Sequence, residues 1–159
     1  MQKFLGRSWL AALFGIVLAV ACVQEGKHPG PSASWSANDL QGHWEARCVS
    51  DFQGRKLDFS ADFTLDTFSG TFVGYSDSNC TQALGAMSFP KSKFRIGADL
   101  PGKPGEKEFD IVLDDGQTLF TKIKVEGTHL YTGMGTGSDD GLSATTRHSS
   151  LNPFSLMKK

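Results

Sequence analysis

The side chains best suited to chemistry are three cysteines, Cys22, Cys48 and Cys80, and four histidines, His28, His43, His129 and His148. The histidines are scattered, with no His-Glu-x-x-His or His-x-His spacing that would hold a metal, so no metal site is expected. No serine stands in Gly-x-Ser-x-Gly, the tight elbow that presents a hydrolase nucleophile. The glycine-rich run from Gly133 to Gly141 lacks both the Gly-Lys-Ser/Thr ending of a phosphate loop and the spaced acids of a calcium loop. Asp139 and Asp140 therefore read as turn supports, as do Asp77 and Asn79 ahead of Cys80. A set such as His43, Asp77 and a serine would have to be assembled from distant strands, and no spacing selects it. The expectation is a protein without catalysis and without a cofactor.

Lys3 and Arg7 precede an almost wholly apolar run from Trp9 to Ala21, and polarity returns at Gln24, Glu25 and Lys27. A basic head, an apolar centre and small residues before a cut describe a secretory signal over residues 1–21. The run is shorter than the roughly 20 apolar residues a spanning helix needs. Ala19-Val20-Ala21 followed directly by Cys22 resembles the lipobox of bacterial lipoproteins, with Ala19 where leucine is usual. The resemblance implies that Cys22 becomes the mature N-terminus and carries acyl chains, which hold a membrane through about 0.8 kcal/mol per buried methylene. Val23 rather than Asp follows the cysteine, which by the same resemblance points to the outer membrane, facing the periplasm or the cell surface. The alternative is an ordinary small-x-small cleavage site that Cys22 merely follows. Gly26, Pro29, Gly30 and Pro31 then mark a flexible tether over residues 22–39, and the folded domain is expected over 40–159.

An odd cysteine count in a secreted chain leaves one over if two pair. Lipidation would use Cys22 and leave Cys48 and Cys80 for a disulfide in an oxidising compartment. Two free buried thiols are the other reading.

The elements that must position these residues are strands. With 159 residues, 39% of them apolar and 21% charged, the chain suits one globular domain rather than a membrane bundle or a disordered tail. A net charge of -1 gives no reason to expect a nucleic-acid partner. Leu57, Phe59, Ala61, Phe63 and Leu65 alternate with polar residues, as do Phe109, Ile111 and Leu113, the period of a strand with one buried face. Turn signals divide the remainder into strands at Trp44–Ser50, Lys56–Asp66, Gly70–Ser76, Gln82–Phe89, Lys93–Ala98, Lys107–Leu113, Leu119–Val125 and His129–Gly133. The expected fold is all-β, an antiparallel up-and-down meander of about eight strands forming a lipocalin-like barrel or half-barrel, with residues 135–159 as an irregular flap.

Gly42-His43-Trp44 resembles the Gly-x-Trp signature of lipocalins, which implies that Trp44 plugs the closed end with Arg147 laid across it. The longer pattern Gly42-x-Trp44-x3-Cys48, then Tyr75-x-Asp77-x2-Cys80, resembles the repeated domain of the adenomatosis polyposis coli down-regulated family from about Leu40 to Phe89. It implies that Cys48 and Cys80 pair and that the sheet encloses an apolar groove for acyl chains or other lipids. Members of that family carry two such domains, and this chain shows the pattern once. Phe59, Phe63, Phe72, Met87, Phe94, Phe109, Ile111 and Ile123 are the candidate ligand contacts, and a packed core is their plainer reading. The expected function is a lipid-anchored envelope protein that carries a small hydrophobic ligand. The alternative is a filled barrel whose loops bind or inhibit another envelope protein.

Overall fold

The computed structural model describes residues 34–159. The signal segment, Cys22 and the tether as far as residue 33 lie outside the described residues. Nine strands follow a short helix α1 (Ala37–Leu40): β1 (Gly42–Ser50), β2 (Lys56–Phe63), β3 (Thr67–Tyr75), β4 (Ala83–Asp99), β5 (Glu106–Val112), β6 (Thr118–Glu126), β7 (His129–Met134), β8 (Ser150–Leu151) and β9 (Leu156–Lys158). Each of β1 to β7 pairs antiparallel with its successor, and β9 fits between β7 and β1. Eight strands thus close into an up-and-down barrel, while β8 only extends the edge of β7. Closure removes the sheet edges that an open meander would leave exposed, except along β4 before Lys93.

The strand count agrees with the sequence pattern, but two strands differ in identity. The segments expected at Gln82–Phe89 and Lys93–Ala98 form one long strand, β4. Pro90 looks like a breaker, yet it sits in a bulge where Phe68 pairs with Ser92 and Gly70 with Phe89, leaving Pro90 and Lys91 opposite Ser69 alone. A bulge needs no amide donor there, so proline is tolerated and the strand bends and continues. The missing barrel strand comes from the supposed flap: Trp44 pairs with Lys158 and Leu130 with Leu156.

The tether also ends earlier than its composition suggests. Trp35 is buried and its indole Nε1 donates to the Gly105 carbonyl at 2.6 Å. The Asp39 carboxylate accepts from the Ser36 amide and hydroxyl, starting the one turn of α1. Leu40, fully buried, is the residue this turn exists to place.

The lower half of the barrel is solid. Trp44, Ile123, Leu130 and Leu156 are fully inaccessible, and Phe59, Phe63, Phe68, Phe94 and Phe109 are nearly so. Phe63 touches Phe68, Phe94 and Phe109 with ring centres 5.3, 5.8 and 6.2 Å apart, the tilted and edge-on contacts that aromatic quadrupoles favour. Gly70 makes this packing possible: a Cβ there would lie 3.1 to 3.3 Å from the Ser60 carbonyl and the Phe68 and Phe59 rings. The inner stripe therefore packs as a core in the lower half of the barrel. Its aromatic side chains fill the interior themselves.

At the closed end Trp44 meets a different cation from the expected Arg147. The Trp44 indole donates to the Leu40 carbonyl at 2.7 Å, and Lys158 Nζ stands 5.2 Å from the ring centre. Arg147 instead lies against Phe120 at 5.5 Å and donates to the Asp110 carboxylate at 2.7 Å, on β5 and β6. The reason is β9, which brings Lys158 into register with Trp44 and leaves Arg147 in the preceding loop.

Candidate functional site

The site is built at the other end of the barrel, where β1 to β4 rise above the closed ring. β4 pairs with β3 from Ala83 to Lys93, but with β5 only from Lys93 to Asp99. The stretch before Lys93 therefore has one neighbour among the described strands, and the wall opens on that side.

Two bulges, one at Arg47 and Cys48 in β1 and one at Leu84 in β4, and a disulfide hold this rim. Ala46 pairs with Phe59 and Val49 with Leu57, so Arg47 and Cys48 together face Asp58. Cys48 takes a left-handed conformation, φ 51°, and its amide donates to Asp58 Oδ1 at 2.7 Å. The Tyr75 hydroxyl donates to the other Asp58 oxygen at 2.9 Å, an interaction that raises the phenol above its ordinary range. Cys48 and Cys80 form a disulfide with their Cα atoms 5.6 Å apart, which ties the end of β1 to the loop between β3 and β4. Asp77 organises that loop, accepting from the amides of Asn79, Thr81 and Gln82 and from the Thr81 hydroxyl. The Gln82 amide, followed by the Thr81 groups, keeps the Asp77 carboxyl below its ordinary value. Asp140 supports a turn in the same way, accepting from the Leu142 amide and the Thr146 hydroxyl.

Between this raised wall and the loops opposite lies a groove of about 640 Å³. Leu57, Phe72, Met87 and Phe89 form its floor, and Phe52 and Phe154 reach in from two loops. Phe72 stacks on Phe59 with ring centres 4.0 Å apart and meets Phe89 at 5.4 Å, so the groove is the upper continuation of the core. Asp51, Arg55, Lys56, Tyr75 and Asn152 supply its polar edge. Arg55 is engaged with Asp51 at 2.7 Å, whereas Lys56 joins no ion pair among the described residues.

Of the eight expected contacts, Phe72 and Met87 line this groove. Phe59, Phe63, Phe94, Phe109, Ile111 and Ile123 belong to the core below it. Period-two alternation marks which face a strand turns inward, and both core and groove residues satisfy it. Phe52 and Phe154 escaped because loop residues have no period to read.

The segment after β7 is pinned beside the rim. The Phe120 amide donates to the Gly141 carbonyl, and the His148 amide to the Phe120 carbonyl. His148 Nδ1 is 2.9 Å from the Thr121 hydroxyl. A Cβ at Gly141 would fall 2.8 Å from its Nε2, which shows how little space surrounds the ring. Lys122, also buried, donates to Glu106 at 2.7 Å and to the Ser149 carbonyl. Burial lowers the Lys122 ammonium below its usual range, against the pull of Glu106. These contacts fasten the loop and leave neither group facing the groove.

Burial holds the His148 pKa below its ordinary 6.5, outweighing the carbonyls of Asp140 and Gly133 and the nearby Asp140 and Asp139 carboxylates. The unfolded chain then binds the proton more readily than the folded one. The stability from neutral His148 is present above pH 6.5 and is lost as pH falls through and below that value. Denaturation midpoints of the full chain should drop between pH 7 and pH 5, and His148→Gln should flatten that slope. An unchanged slope in the variant would remove His148 from the account.

Among the described residues no group of three or more His, Cys, Asp and Glu side chains is placed to hold a metal ion. No protein-family model matches the chain, and no curated protein matches it.

Proposed function

We propose that this chain is a lipid-anchored cell-envelope protein that binds one small hydrophobic ligand, an acyl chain with an acidic head, in the rim groove and performs no chemistry on it. The observation that carries this reading is the apolar groove of about 640 Å³ above a solid core. That volume falls within the range of roughly 300–1,000 Å³ typical of small-molecule sites. Leu57, Phe72, Met87 and Phe89 supply apolar surface, and Lys56 at the lip supplies a cation for the carboxylate. Burying about ten methylenes at ~0.8 kcal/mol each yields on the order of 8 kcal/mol, which corresponds to micromolar affinity. The disulfide supports an oxidising address, as does the lipobox-like sequence at Cys22. The closed barrel supports kinship with lipocalin-like proteins. The described chain begins at the closed end, where Ser34 and Trp35 lie beside Gly105 and Gly127, so the groove opens at the end away from residue 34.

A fluorescent fatty acid displaced by palmitate from the full chain tests the reading. Met87→Asp, which places a charge on the groove floor, should weaken binding by roughly tenfold or more. Leu65→Asp, at an exposed position away from the groove, should leave it unchanged. A protein that neither binds the probe nor yields lipid on extraction is better described by the alternative, a module that contacts another envelope protein.

A further inference from the structure

We infer that the raised rim is a membrane-docking surface, which seats the mouth of the groove on an anionic lipid bilayer, the source of its ligand. The inference rests on the ligand reading and adds where the acyl chain comes from. Six large apolar side chains are exposed among the described residues, and three of them, Phe52, Leu84 and Met87, stand at the mouth of the one groove. Two local devices present them. Phe52 lies in the turn between β1 and β2, where the Asp51 carboxylate accepts from the Gln53 and Arg55 amides at 2.9 Å each and from Arg55 Nε at 2.7 Å. Those bonds hold the turn without using the phenyl ring, which is 56% exposed. Ala83 pairs with Tyr75 and Gly85 with Gly74, so Leu84 is the extra residue of a bulge, the irregularity that re-aims a side chain. Leu84 is 75% and Met87 62% exposed.

The charges at this apex favour an anionic surface. Its turn and the loop between β3 and β4 contain two acids, Asp51 and Asp77, and each carboxylate is spent on its own loop. Lys56 joins no ion pair among the described residues, which leaves a cation at the lip and no free anion beside it. The other acids of the open end are set back. β5 ends at Val112, opposite Lys93, so Asp114 and Asp115 stand beside the foot of the raised stretch of β4. Asp139 and Asp140 belong to the segment fastened at Phe120, which pairs with Asp110 on β5. Aromatic and aliphatic side chains next to a basic one are the types that settle at the boundary of headgroups and acyl chains, where anionic lipids attract the cation. An acyl chain long enough to fill the groove is scarce in water, because every methylene favours an apolar phase, so the bilayer holds the supply. The stretch from Cys22 to Ser34 reaches up to ~40 Å, against ~30 Å for a strand the length of β1, so a lipid at Cys22 leaves the rim able to face the membrane that carries it.

The test uses the full chain with tryptophan in place of Phe52, so that the readout belongs to the rim wherever the N-terminus is held. On vesicles of phosphatidylglycerol and brominated phosphatidylcholine in equal parts, bromine should quench Phe52→Trp, and should quench Leu65→Trp, exposed after the end of β2, at least about fivefold less. Gln53→Glu with Ser78→Glu, both off the groove lining, places two anions at the apex. In the Phe52→Trp chain the pair should lower the ratio of docked to free rim by roughly tenfold or more. Palmitate displacement measured without vesicles should not respond to the pair. Absence of quenching at residue 52, whether the rim stays in water or a second copy or another protein covers it, would overturn the inference, while intact displacement would keep the ligand reading. Equal quenching at residues 52 and 65 would overturn it too. Failed displacement with residue 52 quenched would leave the docking standing and overturn the ligand reading, and with it the bilayer's part as source.

Discussion

Replacing Trp44 with alanine should lower the unfolding free energy of the full chain by about 3–5 kcal/mol, the range for a large aromatic removed from a packed core. The residue is fully buried, and its loss removes more than apolar contact. The Leu40 carbonyl, which accepts from the indole at 2.7 Å, would lose its donor inside the closed end. Lys158 would lose the ring beneath its ammonium while keeping its bond to the Asp39 carbonyl at 2.9 Å. Trp44→Phe separates the parts: the ring area is largely kept, and the orphaned carbonyl alone should account for about 1–3 kcal/mol. Urea denaturation followed by circular dichroism measures both. A Trp44→Ala loss below about 1 kcal/mol would mean that the closed end is held elsewhere.

The second large effect belongs to the opposite end. Cys48→Ser with Cys80→Ser should destabilise the chain by about 3–4 kcal/mol, as the chain-entropy account gives for residues 32 apart. The consequence for function follows from where the bond lies. Cys80 lies in the loop from which β4 starts, and the stretch of β4 before Lys93 is held by β3 alone. Without the disulfide this wall should fray first, so hydrogen exchange should quicken over 76–89 while β6 and β7 stay protected. Fatty-acid affinity should fall with it, even at temperatures where the barrel remains folded. Uniform exchange across all strands would show the rim and the barrel to be one cooperative unit.

Much of the fold can be read from short stretches. The alternation of Leu57, Phe59, Ala61 and Phe63 is a real strand face, and the pattern fails at Leu65 because the chain turns after Phe63 and leaves Leu65 82% exposed. The cysteine pairing was accessible from counting and from the resemblance. What was hidden depends on partners distant in sequence. Leu156-Met157-Lys158 is too short to show a period, and it becomes a barrel strand only because β7 and β1 leave a gap of its width. Pro90 reads as an end until a bulge accommodates it. Arg147 and Lys158 are both cations near the C-terminus, and only the register of β9 decides which one reaches Trp44. The same limit governs the site. Phe72 and Phe59 sit on one face of neighbouring strands and stack on each other, yet Phe72 borders the groove while Phe59 lies in the core. Height along the barrel separates them, and alternation carries no information about height.

The most direct measurement is methyl NMR of the full chain titrated with palmitate. Leu57, Leu84 and Met87 border the groove, whereas Ile123, Leu130 and Leu156 are inaccessible in the core. A ligand held at the rim should shift the first three resonances in a saturable way and leave the last three where they are. Shifts at Ile123, Leu130 and Leu156 would place the ligand inside the barrel, and a spectrum that palmitate does not change would contradict ligand binding altogether.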